Sequence, residues 1–204
     1  YADLNFINPD ASSTGEVLFN CFSNMNWKLN LNIAICLYTA ILTDTGSFRF
    51  DNTKPSTFET AAKLVEIGVN PSDIYKKVYE SDSKTLVMFQ AHCVSKAKFL
   101  NDDKIAYTTV YKKDMEQFSA GDDCMEGLTE KLRAIVTTRV AFVAKEMKSG
   151  GTKISMRSKF ADVAQICGVF NGGGHKFAAG CTIKAPVEEA VKKILAEIKK
   201  VKQL

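Results

Sequence analysis

Along the first hundred residues the apolar positions recur three and four apart, which is the spacing of one helix face. Val17, Leu18, Phe19 and Phe22 follow Ser13-Thr14-Gly15-Glu16, a stretch with capping-box spacing in which Ser13 is the N-cap and Glu16 reaches back. Leu31 to Thr43 is apolar nearly all round, and its length predicts a buried helix. Another helix is expected from Thr53 to Gly68, with Ser56 and Glu59 as a second capping pair and Gly68 as the stop. Asn70-Pro71 opens a further one that reaches about Glu80. From Asp82 to Leu100, the positions of Leu86, Phe89, Cys93, Ala97 and Leu100 predict a single long helix. The pattern then changes. Residues 104–111 are β-branched and aromatic and predict a strand, with further strands at 139–145, 152–158 and 179–183. Helices are expected at 123–134, 162–170 and 186–201. The chain therefore reads as α/β in two parts: a mostly helical portion over 1–85, a connecting helix over 86–100, and a mixed-sheet domain over 101–204.

Composition narrows the classes. With 46% hydrophobic residues among 204, the chain can bury a substantial core. Its 27 Lys and Arg against 23 Asp and Glu give 27 − 23 = +4, which suits a small anionic ligand and is too weak to hold long duplex nucleic acid by charge alone. None of the six cysteines lies in a C-x-x-C pair, so a structural zinc site has no support, and Cys36 and Cys167 sit in apolar runs as small hydrophobes. No segment is long and apolar enough to span a membrane and no signal peptide opens the chain, so the cytoplasm is the expected location. The start, Tyr1-Ala2-Asp3-Leu4-Asn5-Phe6, lacks an initiator Met and is expected to be an extended segment that follows a lost N-terminal portion.

Two constellations carry chemistry. In Thr43-Asp44-Thr45-Gly46, a carboxylate closes an apolar helix, where burial and the negative helix end both disfavour its charge; a hard divalent cation would relieve both. On spacing alone the same residues read more simply as a plain turn, with Gly46 supplying a positive φ. In Asn171-Gly172-Gly173-Gly174-His175-Lys176, three glycines let the backbone approach a ligand and turn amide groups toward an anion, and His175 can donate to a phosphate oxygen. Ala178, Ala179 and Gly180 suggest backbone packed on backbone. Upstream, Ile154 and Met156 are expected to face a core, while Ser155 and Arg157 share the opposite face. There the guanidinium either grips a phosphate or a carboxylate, or is simply solvated. His92 has no evident partner and is expected at a surface or between domains.

Together "LYTAILTDTGSFRFDNT", "YTTVY", "EGLTEKLR", "KISMRSK" and "GGGHKFAAG" resemble the DHH phosphoesterase family, in the branch whose C-terminal DHH-associated domain carries a GGGH loop. Within it the chain is most similar to the small bacterial oligoribonuclease branch. The resemblance implies an α/β catalytic domain, represented here by its C-terminal part, joined by a long helix to a smaller mixed-sheet domain. It implies a manganese-dependent, two-metal hydrolase that cuts short single-stranded oligonucleotides to mononucleotides and dephosphorylates 3′-phosphoadenosine 5′-phosphate. Asp44 would be a catalytic metal ligand, while Arg157, Ser155, Gly172, Gly173, Gly174 and His175 would hold substrate in a cleft between the domains. The Asp-His-His stretch that names the family is absent from the chain, so it is expected to be weak or inactive alone. Alternatives are a cyclic or linear dinucleotide phosphodiesterase, an exopolyphosphatase, or a nucleotide-binding module without catalysis; a homodimer is an open expectation.

Overall fold

The computed structural model describes residues 5–201, so the opening of the expected extended segment, residues 1–4, lies outside the described residues. The chain forms two compact units, the first ending at Ser81 and the second beginning at Asp82.

The first unit is helical: α1 (Thr14–Asn24), α2 (Leu31–Asp44), α3 (Pro55–Glu66) and α4 (Pro71–Tyr79). Ala34, Leu37, Tyr38, Ile41 and Leu42 of α2 are buried and pack with Phe19, Ala61, Leu64, Val69 and Ile74. Cys36, however, is exposed rather than part of the core. Ser13 caps α1 by accepting from the Glu16 amide, but Glu16 does not close the expected box. Its carboxylate accepts instead from the amide of Ser12 at 2.9 Å, the hydroxyl of Ser12 at 2.5 Å and the hydroxyl of Thr57 at 3.2 Å, which fastens α1 to α3. Helix α3 starts at Pro55, whose fixed φ suits a first turn, and there Thr57, not Ser56 and Glu59, supplies the capping oxygen, accepting from the Lys54 amide. Asn70 caps α4 as expected.

The second unit is a six-stranded mixed sheet with helices. The strands are β1 (Lys98–Leu100), β2 (Ile105–Val110), β3 (Val140–Glu146), β4 (Thr152–Ser158), β5 (Gly173–His175) and β6 (Ala178–Ile183), in the order β1-β2-β3-β4-β6-β5. Only β2 and β3 run parallel. The helices are α5 (Lys84–Ser95), α6 (Lys112–Gln117), α7 (Leu128–Arg133), α8 (Val163–Gly168) and α9 (Val187–Ile198).

Two expectations need correction. The long helix over 82–100 is the 12-residue α5, and residues 98–100 form β1. The apolar spacing through Leu100 fits a helix, but Asn101, Asp102 and Asp103 all take left-handed φ and fold 98–100 back onto β2 as a hairpin. The helix over 123–134 is likewise interrupted: a 3-10 turn at Asp122–Met125 gives way to α7 at Gly127, which has φ +76°.

The two faces of the sheet are covered unequally. On one, Ile105, Tyr107, Val140, Phe142, Ile154, Met156, Ala179 and Cys181 reach from β2 to β6 under α8 and α9. On the other, a smaller cluster of Ala106, Val110, Ala141 and Val143 with Phe89, Leu128 and Leu132 covers β2 and β3 only. Helix α5 is fixed there by the buried Gln90, whose amide donates to the carbonyls of Cys124 and Glu126.

His92 has a partner after all. Its Nε2 lies 3.1 Å from Oδ1 of the buried Asp114, which also receives Lys96 Nζ at 2.7 Å and the Tyr111 amide at 2.9 Å. Burial pushes the Asp114 carboxyl up, but these three contacts outweigh it and hold it below the ordinary carboxylate value. A lowered folded-state value stabilises above the unfolded value and ceases to do so as pH falls through the folded one. Asp114→Asn should therefore cost about 1–3 kcal/mol at pH 7. In urea melts at decreasing pH, its gap from the wild type should close only below about pH 4.

Candidate functional site

In the first unit, the site expected around Asp44 is a helix end closed with unusual completeness. The Thr45 hydroxyl donates to the Ile41 carbonyl at 2.6 Å and accepts from the Phe48 amide at 3.0 Å. The Ser47 amide takes the Leu42 carbonyl, the Gly46 amide takes that of Thr43, and Asn52 Nδ2 donates to the Asp44 carbonyl at 3.2 Å and the Ser12 carbonyl at 2.8 Å. Gly46, Ser47 and Phe48 are three successive left-handed residues, a conformation that non-glycine residues adopt at a cost of order 1–3 kcal/mol each. Arg49 Nε donates to the Gly46 carbonyl at 2.7 Å, which brings a guanidinium to the same turn.

The Asp44 side chain itself is exposed, which corrects the expectation of a carboxylate strained by burial. Asp44 is the last residue of the helix, and the Thr45 and Gly46 that follow it are buried while its own side chain is not. Among the described residues, no three His, Cys, Asp or Glu side chains come together as a metal site.

In the second unit, register brings the predicted residues together. Arg157 of β4 pairs with Ala178 of β6, and Ala178 pairs with His175 of β5. One step along, Ser155 pairs with Gly180, and Gly180 with Gly173. Residues in register on neighbouring strands share a face, so Arg157, Ser155, His175 and Gly173 all lie on the face that the smaller cluster leaves bare beyond β3. Arg157 and His175 stand in one row with only a methyl group between them, roughly 10 Å apart at two strand spacings. The alternate residues Ile154, Met156 and Ser158 are buried, as are Ala179, Cys181 and Ile183.

The glycines act differently from a phosphate-cradling loop, because Gly173 and Gly174 are part of the edge strand β5. A Cβ on Gly172 would stand 2.3 Å from the Gly180 carbonyl oxygen, and one on Gly174 would stand 2.4 Å from that of Ala178. Both are therefore needed for β5 to lie against β6. A Cβ on Gly173 would meet nothing within 4 Å, and it would project onto the bare face.

Arg157 is half-buried and held. Its Nε donates to Glu130 Oε1 of α7 at 2.6 Å and its Nη1 to the Met156 carbonyl at 2.9 Å, which uses two of the five guanidinium N–H donors and fixes the direction of the rest. Glu130 is a positioning residue that the sequence reading missed; the signal was "EGLTEKLR", where Gly127 starts the short helix that carries it.

Residues 102–203 match the DHHA1 domain. The chain belongs to the DHH family, with a DHHA1 domain in its second half. Similarity extends through the first unit. An uncharacterized protein of Mycoplasma genitalium is 32% identical over 88% of this chain and 54% of its own length. The bifunctional oligoribonuclease and PAP phosphatase NrnA of Bacillus subtilis is 27% identical over 90% of this chain and 58% of its own length. An exopolyphosphatase-related protein from Bacteroides fragilis, of known structure, superposes with a TM-score of 0.92 at 27% identity, covering 98% of this chain and 59% of that one. The chain thus spans little more than half the length of each relative. Among the described residues no helix is long and apolar enough to cross a membrane.

The bare DHHA1 face predicts that neighbouring glycines behave oppositely. Gly172→Ala should lower the melting temperature of the chain sharply, since it forces backbone atoms apart. Gly173→Val should leave melting within a few degrees of the wild type, because its side chain would stand in open space on the bare face, in the row of Ser155 next to that of Arg157 and His175.

Proposed function

We propose that the DHHA1 domain of this chain holds a terminal phosphate of a nucleotide or very short single-stranded oligonucleotide, as the substrate-binding part of a manganese-dependent phosphoesterase. The observation that carries the reading is the bare half-face of the sheet, where Arg157 and His175 flank a floor of small side chains. A guanidinium with fixed free N–H groups suits the planar spread of phosphate oxygens, and imidazole adds a donor from the other side. The small floor keeps the anion close to both. The Ser155 hydroxyl, one row away, is a further donor on the same face. Relatives named for oligoribonuclease and 3′-phosphoadenosine 5′-phosphate phosphatase activity support a phosphate monoester or diester as the bound group.

Manganese would supply Lewis acidity and a water activated near neutral pH. Asp44 suits one ligand position, since a hard divalent ion selects carboxylate oxygens. One exposed carboxylate does not make a centre, and the described residues offer no cluster of three donors. What this chain's own residues do is bind and orient: Glu130 holds Arg157, and Arg157 and His175 fix the phosphate.

The 204-residue chain should bind 3′-phosphoadenosine 5′-phosphate and a 5′-phosphorylated dinucleotide saturably in calorimetry. Arg157→Ala should weaken both about ten-fold or more, and His175→Ala several-fold, with circular dichroism unchanged. Affinities unmoved by either substitution would overturn the reading. Manganese added to this chain should leave the dinucleotide intact, as followed by chromatography of the products.

A further inference from the structure

The bare face continues past the row of Ser155 and Gly180. The next row is Lys153 paired with Thr182, and there the sheet loses its last strand, because β5 pairs only with Gly180, Ala179 and Ala178. The chain leaves β6 at this point: Asn171 takes φ +56°, and the Gly172 amide bonds to the Cys167 carbonyl. The result is a groove of about 820 Å³ with Lys153, Ser155, Thr182 and Lys184 on its polar side and the apolar Val169 and Phe170, just after α8, on the other. It shares Ser155 and Gly180 with the phosphate-binding face and opens at the sheet edge.

The groove is basic and has free donors. Lys153 and Lys184 are exposed and make no ion pair among the described residues. Lys153 acts on Asp122 only through space, and Asp122 is already paired with Lys145. The Thr182 and Ser155 hydroxyls lie on the same face. Thr182 and Lys184 also border the depression around Tyr111, but there Glu146 and Glu188 make a poor lining for an anion, whereas the groove itself carries no carboxylate.

Spacing separates this groove from the first phosphate position. Arg157, Ser155 and Lys153 follow every second residue, so Lys153 stands about 13 Å along β4 from Arg157. Arg157 is tethered to Glu130 and to the Met156 carbonyl and cannot swing toward it. The two cations therefore serve different phosphates.

We infer that this groove is a second phosphate subsite, in which Lys153 and Lys184 hold the backbone of a short oligonucleotide beyond the phosphate gripped by Arg157 and His175. The inference rests on the proposed function, and it assigns a length dependence to binding: each phosphate that reaches the groove adds affinity and salt sensitivity, and a mononucleotide gains nothing from it.

The test uses the full 204-residue chain and 5′-phosphorylated adenosine oligonucleotides of one, two, three and five residues, titrated at several salt concentrations. Wild-type affinity should rise from mononucleotide to trimer. The Lys153→Gln/Lys184→Gln double variant should lose roughly five- to ten-fold for the trimer, with a shallower salt slope, and keep mononucleotide affinity. A Lys153→Glu variant should exaggerate the same pattern. The subsite is overturned if the double variant binds trimer as the wild type does, or if mononucleotide and trimer weaken equally. If the wild type binds no mononucleotide, or Arg157→Ala changes nothing, the phosphate reading itself fails, and the subsite with it.

Discussion

The register between β4, β6 and β5 governs most of what the second unit presents. Side chains alternate across a strand, so a slip of one residue would move Lys153, Ser155 and Arg157 into the core and expel Ile154 and Met156. The apolar set under α8 and α9 fixes the register firmly, because Ile154, Met156, Ala179 and Cys181 have nowhere else to be buried. The polar rows are thus positioned by residues that never touch a ligand. The second cluster, by ending at β3, then decides how much of that polar face stays open.

Edge strand β5 depends on this register in turn. It is three residues long and joins β6 through two residues, Lys176 and Phe177. The Val163 amide bonds to the Lys176 carbonyl and the Ser158 amide to the Phe177 carbonyl, so the turn is tied to the start of α8 and the end of β4. With both turn residues held, His175 has a defined place opposite Ala178 without being buried itself.

Much of this was legible from the residues. Alternation in "KISMRSK" placed Ser155 and Arg157 together, and the small residues after the GGGH run pointed to close backbone packing, as found at Gly172 and Gly174. What escaped was tertiary in origin. Nothing in the period of Ala97 and Leu100 distinguishes a helix from a short strand; the left-handed Asn101-Asp102-Asp103 turn decides it. The three glycines suggested a loop because glycine-rich stretches usually are loops, yet pairing with β6 makes a strand of them. Asp44 looked buried because the helix before it is apolar, whereas only Ala34, Leu37, Tyr38, Ile41 and Leu42 of that helix are interior. The partners of His92 and Arg157 lie 22 and 27 residues away, a separation that local pattern does not register.

The closure of α2 also has a dynamic meaning. Helix ends ordinarily fray, because their final carbonyls lack partners. Here those of Ile41, Leu42, Thr43 and Asp44 are all engaged, by Thr45, Ser47, Gly46 and Asn52. A carboxylate mounted on such an end has surrendered its backbone freedom during folding. Whatever Asp44 meets, the entropy lost in holding it still is that of its side chain and little of its backbone.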